Sequence, residues 1–174
     1  PLLCAGAVGY RSLRLAGIHE AVKPPMNADT RRFRTSAEET VGVHRRASAV
    51  TVRALGLTGF GASGHLVLKM VRHQYPQPRV YVFARSKEER AFARELGATW
   101  AGDTSDRPPE LLDAIIDTTP VWSSIVAALG NLKPGGRLVI NAIRKEETDK
   151  AALLGLAYAR HLWMEKEIKS VANV

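Results

Sequence analysis

Residues 57–65 (LTGFGASGH) constrain the fold more than any other stretch of this 174-residue chain. Gly59, Gly61 and Gly64 have the GxGxxG spacing that occurs where a strand turns into a helix beneath a dinucleotide phosphate. The first glycine permits a tight turn, the second lets the backbone approach a pyrophosphate, and the third lets the helix pack against the strand. The motif alone is weak because glycine is common. The alternative is a plain strand–helix turn that binds nothing.

The segments around this motif predict regular α/β alternation. Apolar and β-branched runs predict strands at residues 54–58, 79–83, 99–101, 114–117, 137–141 and 168–174. Helical patterns lie between them at residues 61–72, 87–96, about 123–132 and 149–161. The pattern predicts an α/β fold: a doubly wound parallel (Rossmann) sheet of about six strands, with helices on both faces. The glycine motif follows the first strand and opens a helix, as a dinucleotide site requires, and Ala62 and Ser63 lie in its turn.

The N-terminal third of the chain follows a different pattern. Residues 2–16 predict a helix that Gly17 ends. Residues 19–53 contain Pro24-Pro25, polar clusters and grouped arginines, with no sustained period of 2 or 3.6. We interpret them as a long irregular basic loop before the first strand, either an insertion or a stretch translated out of frame.

The end of the second predicted strand indicates which dinucleotide is preferred. NAD-selective sites carry an Asp or Glu there, about 20 residues after the glycines, to bind the ribose 2′-hydroxyl. This chain has Arg85, Ser86 and Lys87 instead. The two cations would attract a 2′-phosphate and the hydroxyl would donate to it, so we predict NADP rather than NAD. The alternative is that both cations flank a solvated helix start.

Charge and cysteine content set the remaining expectations. The net charge is +8, but the basic residues are spread out and the aromatics do not interleave with them, so we predict no nucleic-acid partner. No apolar run approaches the length of a membrane span, so we predict no membrane partner. The single cysteine, Cys4, excludes an internal disulfide and fits a reducing, cytoplasmic location.

Several segments together resemble a known family. They are PLLCAGAVGYRSLRLAG, GLTGFGASGH, IDTTP, LKPGGRLVINAIRKE and HLWMEKEIKSVANV. In order and spacing they resemble the cofactor-binding half of the zinc-dependent medium-chain alcohol dehydrogenases. The resemblance covers residues 1–18 and 54–174. It implies a linking helix (1–18) from a catalytic domain, the irregular basic segment (19–53), and a dinucleotide-binding Rossmann domain (54–174).

The resemblance implies an activity and a metal ligand. The activity is NAD(P)-dependent hydride transfer between an alcohol and an aldehyde or ketone. Cys4 matches one of three protein ligands of the catalytic zinc, which polarises the alcohol oxygen. Without the family match, a small buried hydrophobe is the better reading of Cys4. The other two ligands belong to a preceding domain that this sequence does not contain. We therefore expect a partial chain that is inactive alone and does not bind zinc alone.

Further cofactor contacts carry over from the family. Thr118, Thr119 and Pro120 follow the fourth strand and are expected on the adenosine side. Asn141, Ala142 and Ile143 follow the fifth strand and are expected to face the nicotinamide, because ligands lie at the carboxyl ends of such strands. For each, a loop residue that serves only the turn is the alternative. Relatives often pair through the last strand, so residues 168–174 are expected at a homodimer edge.

The residues discriminate among three other classes of protein. A non-catalytic or degenerate nucleotide-binding module is the main alternative, because most zinc ligands are missing. A methyltransferase is disfavoured because Ala84-Arg85 stands where an acidic residue is needed. A short-chain dehydrogenase is excluded, because no tyrosine is followed four residues later by a lysine.

Overall fold

The computed structural model describes residues 2–18 and 52–172 of the chain, with the side chains of residues 2–4 left aside. The strands are β1 (Ala54–Thr58), β2 (Arg79–Phe83), β3 (Trp100–Gly102), β4 (Leu112–Asp117), β5 (Leu132–Ile140) and β6 (Glu167–Ser170). The α-helices are α1 (Leu2–Leu15), α2 (Ala62–Gln74), α3 (Lys87–Glu95), α4 (Ser123–Asn131) and α5 (Tyr158–His161), and a 3-10 helix spans Lys150–Gly155.

The six strands form one parallel sheet in the order β3-β2-β1-β4-β5-β6. The chain therefore builds outward from β1 in one direction, returns to the centre, and builds outward from β4 in the other. This confirms the predicted doubly wound α/β sheet. The order reverses between β1 and β4, and a crevice forms at the carboxyl ends of strands at such a reversal.

Two apolar layers hold the sheet between the helices. On one face, Leu55 and Leu57 of β1 pack in the same buried cluster as Leu68 of α2. On the other face, Ile115 of β4 lies in a cluster with Leu129 of α4. All five side chains are fully buried. Each such side chain contributes about 1.5–3 kcal/mol by leaving water, so the central strands and their flanking helices form the rigid base of the carboxyl edge.

The N-terminal helix α1 belongs to this domain rather than standing apart from it. It packs so closely on α2 that a Cβ on Gly9 would come within 3.0 Å of Val67 and Met70. Gly17, with a φ of +91°, ends the helical segment as predicted. The irregular segment predicted at residues 19–53 lies outside the described residues, apart from Val52 and Arg53.

The helix predicted over residues 149–161 is wrong as one continuous element. The structure has the 3-10 helix and the four-residue α5, separated by extended backbone at Leu156 and Ala157. Leu154 is 91% exposed, so a longer helix would gain little burial there, and Gly155 disfavours a helical interior. The last strand is also shorter than predicted, ending at Ser170. Within residues 2–18 and 52–172, no helix has the length and apolar character of a membrane span.

Candidate functional site

A cavity of about 650 Å³ opens at the carboxyl edge of the sheet, beside the reversal between β1 and β4. The segments after β1, β2, β3 and β4 and the first turns of α4 form its walls. The lining residues are Gly59, Phe60, Gly61, Ala62, Ser63, Arg85, Glu89, Thr104, Ser105, Thr118, Thr119, Pro120, Val121, Ser123, Ser124, Ala127 and Glu146. The predicted glycine turn, Arg85 and the residues after β4 are thus brought together at one cavity.

The first glycine of the motif has the backbone that its role requires. Gly59 has a φ of +80°, which side-chain-bearing residues rarely adopt. A Cβ there would also meet Thr118 Oγ1 at 2.8 Å and Thr119 Cγ2 at 2.9 Å. Its N–H donates to the carbonyl of Phe83 at 2.9 Å, which ties the turn to the end of β2. The turn is therefore held between the two neighbouring strands.

The other two glycines differ in what surrounds them. A Cβ on Gly64 would come within 2.5 Å of the carbonyl oxygen of Gly59, so only glycine lets α2 start this close to β1. A Cβ on Gly61 would meet nothing within 4 Å, although Gly61 lines the cavity. The space beside Gly61 is thus open to an incoming group. This arrangement fits a ligand that approaches the backbone closely.

Three helices begin near this edge, and side chains accept hydrogen bonds from the first N–H groups of two of them. The hydroxyl of Ser86 accepts from Glu89 N at the start of α3, at 3.0 Å. The carboxylate of Asp149 accepts from Trp122 N and Ser123 N at the start of α4, at 2.8 and 2.9 Å. Within the described parts of the chain, no side chain caps α2 at Gly61. The start of α2 therefore offers unpaired donors and a partial positive charge to the cavity.

The three residues predicted to bind a 2′-phosphate have different surroundings. Arg85 is exposed and lines the cavity. Ser86 caps α3, and neither it nor the exposed Lys87 is among the lining residues. Glu89, the third residue of α3, lines the same cavity as Arg85 and was not predicted from the sequence. Arg85 precedes α3, so no helical spacing in the sequence links Glu89 to it.

Arg90 supports the loop that carries Arg85. Its Nη1 donates to the carbonyls of Ala84 and Arg85 at 2.7 and 2.9 Å and pairs with Asp103 Oδ2 at 3.0 Å. A hydrogen bond from Thr104 lowers the pKa of Asp103, and the pairing with Arg90 lowers it further. Arg90 therefore stabilises the loop between β2 and α3, while Arg85 remains available to the cavity.

A buried carboxylate lies directly behind the segment after β4. Asp117 is fully buried, and its Oδ1 accepts from the hydroxyls of Thr58 at 2.7 Å, Thr119 at 2.8 Å and Ser124 at 3.0 Å. Its Oδ2 accepts from Lys145 Nζ at 2.5 Å. Thr118 Oγ1 donates to the carbonyl of Thr58 at 2.9 Å. These bonds hold the threonines in place at the cavity wall.

The residues predicted to face a nicotinamide follow β5 but do not line this cavity. Asn141 N donates to the carbonyl of Asp117 at 2.7 Å, while its buried Nδ2 has no partner among the described residues. Ala142 is half-buried, and the side chain of Ile143 is 87% exposed. Their contact with a cofactor stays a prediction. The unpaired amide of Asn141 is the feature in this segment that fits a polar ligand group.

No metal centre is assembled by the described residues. Among residues 2–18 and 52–172, no three His, Cys, Asp or Glu side chains gather as a metal site would require. Cys4 lies in α1, but its side chain is one of those left aside. Its role as a zinc ligand therefore stays a prediction.

The chain is similar in sequence and fold to known dehydrogenases, although no protein-family model matches it. It is 33% identical over 173 residues to a probable alcohol dehydrogenase, AdhA, of Mycobacterium tuberculosis (strain CDC 1551 / Oshkosh), covering 99% of this chain and 39% of that protein. The cinnamyl alcohol dehydrogenase SbCAD4 of Sorghum bicolor matches with a TM-score of 0.57 and 22% identity over 99% of this chain and 40% of that one. CAD from Helicobacter pylori, complexed with NADP(H), matches with a TM-score of 0.61 and 19% identity over 99% and 39%.

The sheet order and the glycine turn define a doubly wound α/β domain of the Rossmann type. Within that class, the curated proteins that the chain resembles are described as alcohol or mannitol dehydrogenases, and the chain aligns with a part of each. It spans between 27% and 39% of the length of the curated relatives that it matches.

Proposed function

We propose that this chain binds a nicotinamide dinucleotide in the cavity beside β1 and β4, with the pyrophosphate at the start of α2. The observation that carries the proposal is the open space at Gly61 in front of a helix end that has no side-chain cap. Backbone N–H groups at such a helix end bind phosphate oxygens, and the helix dipole favours their negative charge. The capped starts of α3 and α4 offer no equivalent position.

The proposed dinucleotide is NADP rather than NAD. Arg85 is the exposed cation on the cavity wall, at the end of β2 where the adenosine ribose lies in folds of this type. A guanidinium group pairs with a phosphate through two charge-assisted hydrogen bonds, whereas a ribose hydroxyl offers it much less. The carboxylate of Glu89 on the same wall would repel the 2′-phosphate, so the preference for NADP depends on Arg85 lying closer to that phosphate than Glu89 does.

For the whole protein we propose hydride transfer between a small alcohol and its aldehyde or ketone. The AdhA relative is described as an alcohol dehydrogenase, and this chain aligns with 39% of it. The nicotinamide ring, when bound, supplies the hydride chemistry. The described residues would bind and orient the dinucleotide through the α2 start, Arg85 and the threonines after β4. Cys4 is proposed as one zinc ligand of a site completed by residues outside this sequence.

A titration tests the proposed function. Nicotinamide fluorescence would follow NADPH and NADH binding to the full 174-residue chain, with zinc assayed on the same sample. We expect saturable binding, with NADPH tighter than NADH, and little zinc. Failure to bind either dinucleotide would contradict the proposal, and equal or tighter NADH binding would contradict the NADP preference.

The sheet edge supports a proposal on assembly. β6 is an edge strand whose residues Ile168, Lys169 and Ser170 are exposed, and an unpaired edge is a template for another strand. We infer that β6 pairs with the same strand of a second copy. Val171 N donates to the carbonyl of Ile140, so the N–H of Ile168, which has the opposite orientation, lies on the open side of β6. Sedimentation velocity should report a dimer, which Ile168→Pro should convert to monomer; a monomeric parent chain would contradict the inference.

A further inference from the structure

The ammonium group of Lys145 occupies a cage of three oxygens. Its Nζ donates to Asp117 Oδ2 at 2.5 Å, to the carbonyl of Thr119 at 2.8 Å and to the carbonyl of Val121 at 3.2 Å. A lysine ammonium has three donors, so all of them are used. The Lys145 side chain is 10% exposed and Asp117 is fully buried. This lysine therefore behaves as an internal cation rather than as a surface charge.

The cage joins two segments that are distant in sequence. Residues 118–121 follow β4 and line the candidate cavity, whereas Lys145 lies beyond the end of β5. The next residue, Glu146, also lines the cavity, and its N–H donates to the carbonyl of Pro120 at 2.8 Å. Together these bonds attach the segment after β5 to three successive carbonyls of the cavity wall.

The shape of that wall depends on a positive charge at this point. Asp117 Oδ1 is already occupied by three hydroxyl groups, which leaves Oδ2 to Lys145. The carbonyls of Thr119 and Val121 converge on the same nitrogen. Without a donor there, Asp117 Oδ2 and the carbonyl of Thr119 would lose their lysine donor in a poorly solvated space, while the carbonyl of Val121 would keep only Ser124 Oγ at 3.0 Å, and this is unfavourable. The segment would relieve this by turning its carbonyls outward, and the wall would change shape.

We propose that Lys145 is a positioning residue for the dinucleotide cavity, whose ammonium group holds residues 118–121 in the conformation that receives the cofactor. The inference rests on the proposed function, because it assigns a role at the same site. It predicts that Lys145 acts on dinucleotide affinity without contacting the dinucleotide, since Lys145 itself does not line the cavity.

A second lysine provides a matched control. Lys133 Nζ pairs with Asp113 Oδ1 at 2.7 Å, and that carboxylate also accepts from Arg53 N and Ala54 N at the opposite, amino-terminal edge of the sheet. Lys145→Met and Lys133→Met each remove one lysine from one carboxylate. We expect Lys145→Met to raise the NADPH Kd about tenfold, the scale on which supporting residues act on the groups they hold. Lys133→Met should leave the NADPH Kd within about twofold, because it changes stability only.

Chemical rescue separates the charge in the cage from simple packing. Lys145→Ala should bind NADPH weakly, and propylammonium, which replaces the missing part of the side chain, should restore much of the affinity. Tetramethylammonium at the same concentration carries the charge without N–H donors and should not restore it. Should Lys145→Met fail to fold by circular dichroism, Lys145→Gln, whose amide still donates to one oxygen, replaces it in the same titration.

The outcomes distinguish this inference from the proposed function. If the parent chain binds neither NADPH nor NADH, the proposed function fails and this inference fails with it. If the parent chain binds NADPH and the folded Lys145 variants bind it within about twofold of the parent, only the role of Lys145 is overturned. Equal rescue by both ammonium ions would likewise overturn the cage as the source of the effect.

Discussion

The backbone of Gly64 lies against the carbonyl oxygen of Gly59, so closely that a Cβ on Gly64 would come within 2.5 Å of that oxygen. This approach fixes where α2 begins relative to the end of β1. Gly61, Ala62 and Ser63, at the start of that helix, line the cavity. The close contact and the open space are therefore two consequences of one turn.

Alanine substitutions at these two glycines should have different effects. Gly64→Ala must displace backbone, so we expect a loss of about 1–3 kcal/mol in unfolding free energy together with weaker NADPH binding. Gly61→Ala meets no atom within 4 Å and has an ordinary φ of −73°, so its stability should match the parent while NADPH binding weakens. Thermal denaturation and NADPH titration measure the two quantities.

The control for the glycine pair is Gly155→Ala. A Cβ added at Gly155 also meets nothing within 4 Å, and Gly155 does not line the cavity. It should leave the NADPH Kd unchanged. Unchanged NADPH affinity in Gly61→Ala would show that the open space is not where the pyrophosphate lies.

Charge changes on the cavity wall should alter cofactor preference in opposite directions. Arg85→Ala should raise the NADPH Kd about tenfold or more and leave the NADH Kd nearly unchanged, because the lost partner is the 2′-phosphate. Glu89→Gln should lower the NADPH Kd, because it removes a negative charge that faces the same phosphate. The two titrations are compared for each variant. If Arg85→Ala changed the NADPH Kd and the NADH Kd equally, Arg85 would not act on the 2′-phosphate.

Arg137 should stabilise the sheet edge and the N-terminal helix together. Its guanidinium pairs with Glu167 at 2.9 and 3.0 Å and donates through Nη1 to the carbonyl of Leu15 at 2.8 Å. Solvent screens the Glu167 half, so we expect Arg137→Met to lower the unfolding free energy by about 1–2 kcal/mol. Urea denaturation measures the change.

The control for Arg137 is Arg79, which is the more exposed arginine and also makes two hydrogen bonds to one carboxylate, that of Glu110. Arg79→Met should cause a smaller loss, since Arg79 is 50% exposed and Arg137 is 28% exposed. A larger loss in Arg79→Met would mean that the bond to Leu15 contributes little.

Stability should fall on mild acidification because of His161. Burial lowers the pKa of His161 below its usual 6.5, and the neighbouring charges of Arg160 and Lys166 lower it further, against a hydrogen bond with Ala157 that raises it. Below pH 6.5 the unfolded chain takes up a proton that the folded chain resists. The contribution of neutral His161 to the free energy of unfolding is therefore complete above pH 6.5 and is lost as the pH falls through the pKa of His161 in the folded chain. Urea denaturation from pH 7.5 to 5 should show this slope, and His161→Gln should reduce it. An equal slope in both chains would contradict the assignment.

The regular part of the fold could be predicted because local pattern and tertiary packing agree there. ALGLT is buried along its length and RVYVF is buried at every residue after Arg79, so an apolar run was enough to identify β1 and β2. Residues 149–161 were mistaken for one helix because their apolar side chains suggested a buried face. Leu154 and Tyr158 are instead exposed, and that depends on what surrounds the segment rather than on its own sequence.

Several residues of the candidate cavity could be predicted from the glycine motif and from the positions that follow β2 and β4. The spacing of its glycines identifies the turn, and the distance of Arg85 from that turn identifies Arg85. Glu89 and Lys145 looked like ordinary charged residues, because nothing local shows that one reaches the cavity wall and the other is enclosed by Asp117 and two carbonyls. The hydroxyl of Ser86, which is predicted to donate to a 2′-phosphate, also caps α3 by accepting from Glu89 N. A serine hydroxyl suits either role, so the sequence alone does not distinguish them.

The central claim is that a dinucleotide binds at the uncapped start of α2, and amide NMR tests it most directly. Adding NADPH to the ¹⁵N-labelled chain should give the largest ¹H–¹⁵N shift changes at Gly61, Ala62 and Ser63, with smaller ones at the capped start of α4. Saturable NADPH binding with the α2 amides unmoved, or with the largest changes elsewhere, would contradict the account.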